Sequence, residues 1–90
     1  MTTSKVIAEK IYPCRFPIKV IGENHYDLKG IIIGAMASLG EVIDPGEMSM
    51  THSKNKKYVS ITFEIVARSR EHMDEIYSVL SARKEVKMVL

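Results

Sequence analysis

The segment 58–67 constrains the fold more than any other, because its side chains alternate in polarity. One side carries Val59, Ile61, Phe63, Ile65 and Ala67, and the other carries Tyr58, Ser60, Thr62 and Glu64. A period of two is typical of a strand that packs one face on a core and turns the other to water. We therefore expect an antiparallel sheet with one open face.

Three further strands are predicted around this one. Residues 14–21 alternate, with Cys14, Phe16, Ile18 and Val20 on one face and Arg15, Pro17, Lys19 and Ile21 on the other. A short strand begins at Met48 and runs to Ser53, and a last one covers residues 86–90. The polar residues 54–57 close a hairpin, in which Asn55 is the residue best able to adopt a left-handed conformation.

The segment 26–39 gives two conflicting signals. Three consecutive isoleucines, at positions 31–33, favour a strand by propensity. However, apolar residues recur at helical spacing, namely Leu28, Ile31, Ile32, Ala35 and Leu39. Gly40 also stands where a glycine commonly follows a helix, and Asn24 or Asp27 can cap the start. We predict a helix over 26–39, with Gly30 and Gly34 close to the sheet.

A second helix is predicted after Ser69, which is a good N-cap residue. Its apolar stripe consists of Met73, Ile76, Tyr77 and Leu80. His72 falls in the first turn, where we expect it to be exposed.

The resulting order, βαββαβ, predicts an α+β, ferredoxin-like two-layer sandwich with sheet order 4-1-3-2. The helices should cover the face formed by Phe16, Ile18, Val20, Ile61, Phe63, Ile65 and Met88. Ile21 and Val89 should leave the open face partly apolar. Residues 14–90 form the predicted domain, and residues 1–13 an appendage with a short helix around 5–10.

Composition excludes several classes of protein. The net charge of +2 is too small for a typical nucleic-acid-binding surface. Cys14 is the only cysteine, so neither an internal disulfide nor a cluster of zinc-bound thiolates can form. The longest apolar stretch, residues 31–39, is about half of what a bilayer requires, and no signal peptide is evident. We expect a cytoplasmic protein without a membrane segment.

Three blocks of the sequence resemble the YbeD-like family of small conserved bacterial proteins. They are residues 16–22, 53–62 and 86–90. The resemblance implies the ferredoxin-like fold, similar to the ACT domains that sense small molecules in metabolic enzymes, and it implies no enzymatic activity. The family often has a glycine close to the position of Lys56, so Asn55 must take over its conformation or the loop must differ in shape.

Residues that could carry chemistry also have simpler explanations. Cys14 lies in the core-facing register of a strand, where a lone cysteine is usually a small hydrophobic residue. His25, His52 and His72 do not have the spacing of metal ligands. The loop after the first strand lacks both the paired cysteines of a metal chaperone and the arginine of a phosphatase cradle. The sequence therefore predicts no catalytic residues, no metal and no cofactor.

The best functional candidate is the open sheet face of a regulatory or interaction module. We expect it to bind a small metabolite or a protein partner there or at a homodimer interface. The candidate ligand-binding residues, chosen by analogy with ACT domains, are Gly22, Glu23 and Asn24. The candidate partner surface consists of Arg15, Lys19, Lys54, Lys56, Lys57, Tyr58, Ser60 and Thr62. The alternative is a nucleic-acid-binding protein that uses the lysine-rich hairpin.

Overall fold

The computed structural model describes residues 12–90 and has the predicted element order. The elements are β1 (Cys14–Glu23), α1 (Leu28–Ala37), a 3-10 helix (Pro45–Glu47), β2 (Ser49–His52), β3 (Tyr58–Ala67), α2 (Arg70–Ser81) and β4 (Val86–Val89). All strand pairs are antiparallel, and the sheet order is β2-β3-β1-β4. The ferredoxin-like α+β fold is confirmed. Apart from residues 12 and 13, the predicted appendage and its helix lie outside the described residues.

The core lies between the two helices and one face of the sheet. β1 and β3 pair along their whole length, from Cys14 opposite Ala67 to Glu23 opposite Tyr58. The largest side chains buried there are Phe63, Ile18, Leu28, Ile32, Met36, Ile61, Ile76, Leu80 and Val20. Residues from both helices and from the two central strands thus form one contiguous cluster.

Helix α1 forms despite its three isoleucines, because periodic burial outweighs their preference for a strand. Ile32 is fully buried, while Ile31 and Ile33 on either side of it are half-buried. The Asp27 side chain caps the start by accepting a hydrogen bond from the Gly30 N–H (3.2 Å). Gly40 follows the end with φ +79°, as expected of a glycine after a helix.

Gly30 and Gly34 do not approach the sheet, so that part of the prediction is wrong. Both residues are exposed. The nearest atoms to a Cβ built on Gly30 belong to the Asp27 cap, and nothing lies within 4 Å of one built on Gly34. Helix α1 therefore packs on the sheet through its larger side chains.

Helix α2 begins as predicted, with the Ser69 hydroxyl accepting a hydrogen bond from the His72 N–H (3.0 Å). The predicted stripe contacts the core, Met73, Ile76 and Leu80 being buried and Tyr77 half-buried. The prediction for His72 is wrong, because its side chain is only 4% exposed. No helix within residues 12–90 is long and apolar enough to cross a membrane.

Strand β4 faces the opposite way from the prediction. Val89 pairs with Val20 and packs against the core, whereas Met88 pairs with Ile21 and is 52% exposed. A register shift at Ile21/Gly22 causes the difference, because an irregularity of one residue exchanges the faces of a strand. Met88 therefore belongs to the open face, and Val89 to the helix-covered face.

Candidate functional site

The open sheet face is lined by rows of side chains that run across the strands. One row consists of Thr51, Ser60, Ile21 and Met88, in the order β2, β3, β1, β4. The next row contains Ser49, Thr62 and Lys19, which exchanges backbone hydrogen bonds with Leu90 (3.2 and 2.8 Å). Of the predicted partner surface, the structure thus places Lys19, Ser60 and Thr62 side by side.

The apolar part of this face lies at the side of β1 and β4. Ile21 is half-buried, while Met88 and Leu90 are 52% and 56% exposed. The side formed by β2 and β3 is polar instead, with Ser49, Thr51, Ser60 and Thr62. The open face therefore offers both an apolar patch (Ile21, Met88 and Leu90) and a row of hydroxyl groups.

Two acidic side chains of β1 and β3 on this face are engaged in ion pairs. Glu64 binds Arg15 at 2.9 Å, and Glu23 lies 3.9 Å from the Lys87 Nζ and 3.5 Å from the His25 Nδ1. None of the ion pairs within residues 12–90 includes Lys19 or the three hairpin lysines. The charge left without a partner on this part of the surface is therefore positive.

The hairpin tip, residues 53–57, is held in shape by polar side chains. The Asn55 Oδ1 accepts hydrogen bonds from the Lys57 N–H and the Ser53 hydroxyl, both at 3.0 Å. The Ser53 hydroxyl oxygen in turn accepts one from the Tyr58 N–H (3.0 Å). Three lysines, Lys54, Lys56 and Lys57, are thus presented from an ordered loop, and all are exposed.

Lys56, not Asn55, adopts the left-handed conformation at the tip, with φ +61°. The prediction for Asn55 is wrong because its side chain is used to hold the loop. The left-handed position falls at the residue near which the family resemblance implies a glycine. A lysine there costs about 1 kcal/mol relative to a relaxed backbone.

Asn24 joins the hairpin tip to the turn after β1. Its N–H donates to the Lys57 carbonyl (2.9 Å) and its Nδ2 to the Lys56 carbonyl (3.0 Å). The predicted ligand-binding turn and the lysine-rich hairpin are therefore a single feature at one end of the sheet.

The neighbours of Asn24 have structural explanations of their own. Gly22 is buried, and a Cβ in its place would lie 2.6 Å from the Glu85 carbonyl oxygen. Glu23 is engaged by Lys87 and His25. Lys57 lies over the Tyr58 ring, with its Nζ 5.5 Å from the ring centroid. Tyr58 is thus the aromatic side chain that borders the cationic end of the sheet.

The opposite end of the open face has mixed charge. A depression of about 370 Å³ lies there, lined by Arg15, Pro17, Glu47, Ser49, Thr62, Phe63 and Glu64. Two acids and one arginine share this region. The open face is therefore electrically asymmetric along the strands, and its cationic end is the hairpin tip.

A smaller cavity, of about 200 Å³, lies far from the predicted ligand-binding turn. It is lined by Tyr12, Phe16, Arg70, Met73, Asp74 and Tyr77. Burial raises the pKa of the Tyr77 hydroxyl, so this phenol is neutral at physiological pH. Gly22, Glu23 and Asn24 line neither this cavity nor the depression near Arg15.

Sequence reasoning missed a polar cluster between α1 and α2. Oε2 of Glu41 lies 2.9 Å from Nε2 of His72 and 2.7 Å from Nη1 of Arg68. Burial raises the pKa of Glu41, but the hydrogen bonds from Arg68 and His72 and the positive charge of Arg68 lower it more, so the net pKa is below the ordinary value of 4.5. The cluster joins the loop after α1 to the start of α2.

The other candidate residues lie apart from one another. Cys14 is half-buried opposite Ala67, and His25 stacks on Tyr26 with ring centroids 4.1 Å apart. His52 is exposed at the end of β2. Within the described chain, no three His, Cys, Asp or Glu side chains are grouped closely enough to hold a metal ion.

Comparison with known proteins gives consistent similarities. The family description "Protein of unknown function (DUF493)" matches residues 8–90. A UPF0250 protein of Hahella chejuensis is 35% identical over 91 residues and covers all of both chains. A UPF0250 protein of Paraburkholderia phymatum is 34% identical over 79 residues, covering 88% of this chain and 89% of its own.

A solved structure shares the fold. The solution structure of protein HP0495 from H. pylori superposes with a TM-score of 0.74 at 20% sequence identity. The superposition covers 90% of this chain and 85% of the other. At this identity, the similarity concerns the fold alone.

Proposed function

We propose that this chain, which belongs to the DUF493 family, is a non-catalytic interaction module that binds an acidic protein partner at the cationic end of its open sheet face. Family membership confirms the resemblance to YbeD-like proteins. The ferredoxin-like fold is compatible with many activities. The proposal therefore depends on the charges and side chains of the open sheet face.

One observation carries the proposal: within residues 12–90, no ion pair includes any of the four lysines of the open face and the hairpin tip, Lys19, Lys54, Lys56 and Lys57. Glu23 and Glu64 are already engaged, so Lys19 and the hairpin lysines remain available to a negatively charged surface. Complementary negative charge on a partner would mainly raise the association rate and the specificity of binding. The apolar patch formed by Ile21, Met88 and Leu90 adds area that such a partner can bury.

The same charges argue against a homodimer through this face. Two copies that face each other with their hairpin tips at the same end would bring Lys19 and the hairpin lysines of one near those of the other. Like charges that face each other across an interface are unfavourable. A partner with acidic side chains avoids this repulsion.

Nucleic acid is the second anionic candidate, and it fits the surface less well. Recognition of single-stranded RNA on a sheet relies on several aromatic side chains on which bases stack. Here the central rows carry Ser60, Thr62, Ile21 and Lys19 instead, and Tyr58 lies at the margin. An acidic protein segment matches the charge without requiring a stacking surface.

The proposal is tested by titrating the purified protein into a fluorescein-labelled peptide and recording its anisotropy. The probe is Glu-Glu-Glu-Val-Thr-Val-Thr-Gly, and its neutral counterpart has glutamine for each glutamate. We expect the acidic probe to bind more tightly, and its binding to weaken as salt is raised. The triple variant Lys54→Glu, Lys56→Glu, Lys57→Glu should weaken it by roughly tenfold or more.

The matched control reverses three cations that lie in α1 and in the loop after α2 instead of the hairpin, Lys29, Arg83 and Lys84, and so changes the net charge equally. It should bind as the wild type does. Equal losses in both triple variants, or equal binding of the two peptides, would exclude the proposed site. Tighter binding of a labelled oligouridine than of the acidic probe would instead favour the nucleic-acid alternative.

A further inference from the structure

We infer that the acidic partner, on the proposed function above, binds as an extended segment that pairs antiparallel with the outer edge of β2. The partner segment would then add a fifth strand to the sheet. The inference depends on three features of β2: its outward backbone groups, its lack of protection, and the charges at its two ends.

The outward backbone groups follow from the hydrogen bonding of the hairpin. The Ser53 N–H donates to the Tyr58 carbonyl at 2.9 Å, so the backbone of Ser53 points toward β3. Because successive residues of a strand point in opposite directions, Thr51 also points inward, while Met50 and His52 point outward. Each of these two residues offers one N–H and one C=O at the edge of the sheet.

This edge is short, but it lacks the proline, the lysine and the irregular pairing that commonly protect an edge strand. The sequence of β2 is Ser-Met-Thr-His, without proline or a lysine, and all four residues are exposed. The other edge strand, β4, carries Lys87 and is paired irregularly with β1, and both features hinder strand addition. Within residues 12–90, β2 is therefore the edge better suited to accept another strand.

The side chains of β2 also suit an extended partner. Met50 is 45% exposed on the helix side of the sheet, where an apolar side chain of an added strand could contact it. Ser49 and Thr51 lie on the open face. Strand addition generally gains affinity from backbone hydrogen bonds and specificity from such alternating contacts.

For an antiparallel partner, the charges at the two ends of β2 determine where its acidic residues lie. Lys54, Lys56 and Lys57 follow its last residue, whereas Glu47 lies two residues before its first. In an antiparallel pair, the N-terminal part of the partner lies beside the C-terminal end of β2. The acidic residues of the partner should therefore precede its pairing residues.

The test uses the same labelled peptide and its reversed sequence, Gly-Thr-Val-Thr-Val-Glu-Glu-Glu. The two peptides have equal composition and charge, so they separate direction from electrostatic attraction. We expect the first to bind roughly tenfold more tightly than the reversed one. Equal affinities would overturn the inference and leave the acidic-partner proposal standing.

The backbone contribution is tested with Met50→Pro against Met50→Ala. Proline removes one outward N–H and is tolerated at a sheet edge, whereas alanine keeps that N–H. We expect Met50→Pro to lose roughly tenfold in affinity relative to Met50→Ala, with similar circular-dichroism spectra. Unchanged affinity in the proline variant would overturn strand addition, while sensitivity to Lys→Glu would still support the proposed function.

A second measurement does not depend on how the proline variant folds. N-methylation of the first valine or the following threonine of the peptide removes one amide hydrogen each. One of the two positions must face β2, so one methylated peptide should lose affinity for the wild-type protein and the other should keep it. If both retain affinity, the inference is wrong.

Self-pairing of β2 is the competing occupant. It would produce a dimer of the protein alone, lost in Met50→Pro and retained in Met50→Ala. Analytical ultracentrifugation over a range of concentrations shows whether the wild type and each variant are monomers or dimers. A dimer that the acidic peptide does not disrupt would show that a second copy of the chain, and not an acidic segment, occupies this edge. That result would overturn the inference.

Discussion

Glu41 and His72 are 31 positions apart in the sequence, yet their side chains share one hydrogen bond of 2.9 Å. The direction of that bond is set by Arg68, whose backbone N–H donates to the His72 Nδ1 (3.0 Å). A backbone N–H can only donate, so Nδ1 is the accepting nitrogen. Nε2 therefore carries the hydrogen and donates the hydrogen bond to Glu41. The geometry thus fixes the tautomer of a buried histidine.

The variant Glu41→Gln should lower the free energy of unfolding by about 1–3 kcal/mol, because it removes a charged acceptor from a largely buried cluster. Urea denaturation at neutral pH measures the change. The matched control is Glu64→Gln, which breaks an ion pair whose side chains are 70% and 52% exposed. That control should cost less than about 1 kcal/mol. Equal losses would show that burial of the Glu41 cluster contributes nothing.

The contribution of Glu41 should depend on pH in a defined direction. Its pKa is lower in the folded protein than the ordinary value of 4.5, despite the opposing effect of burial. The stabilisation is therefore fully present above the unfolded-state pKa and is lost as the pH falls through the folded-state value. The urea midpoints of the wild type and of Glu41→Gln should begin to converge as the pH falls below about 4.5, and should meet below the folded-state pKa. A gap that persists or widens in acid would contradict this.

Lys56→Gly should stabilise the protein by a few tenths to about 1 kcal/mol. Glycine relieves the strain of the positive φ, and this gain exceeds the entropy that glycine adds to the unfolded chain. Lys57→Gly is the control, because it removes the same charge from a neighbouring residue without a positive φ. It should be neutral or destabilising in thermal unfolding. If both variants respond alike, the conformation of Lys56 is not strained.

Gly22→Ala and Gly34→Ala should have opposite effects on stability. A Cβ at Gly22 would lie 2.6 Å from the Glu85 carbonyl oxygen, so the backbone leading into β4 must move, at a cost of about 1–3 kcal/mol. A Cβ at Gly34 meets nothing within 4 Å, and alanine favours a helix by up to about 1 kcal/mol. Chemical denaturation of the two variants provides the comparison. A stable Gly22→Ala protein would mean that β4 can shift freely.

The fold could be predicted because its information is local in the sequence. The alternation in β3 and the helical spacing in α1 each reflect one face of one element against the core. The isoleucines of α1 conflicted with that spacing, and burial of Ile32 shows which signal prevailed. The cap residues Asp27 and Ser69 then marked where the helices begin.

The errors arose where distant residues decide the outcome. The local sequence predicts an exposed His72, because its buried partner Glu41 lies 31 positions away in another loop. The alternation of β4 predicts Met88 in the core, because it gives no sign of the register shift between β1 and β4. Propensity predicts the left-handed conformation at Asn55. In the structure the Asn55 side chain accepts a hydrogen bond from the Lys57 N–H, the Asn24 side chain donates one to the Lys56 carbonyl, and Lys56 adopts that conformation.

The candidate site was predicted only in part. The sequence pointed separately to the turn at Gly22, Glu23 and Asn24 and to the lysines of the hairpin. Asn24 joins the two segments through two hydrogen bonds, and the sequence of neither segment alone predicts this tertiary contact. The role of both in binding stays a prediction.

The shape of the hairpin tip and its charge depend on different atoms. Ser53, Asn55 and Asn24 hold the loop through hydroxyl and amide groups, and the lysine ammonium groups take no part in those bonds. Mutation could therefore change the sign or number of charges at the tip while the architecture persists. Each such change of charge would leave the hydrogen bonds of the loop in place, so it would not require an intermediate that fails to fold.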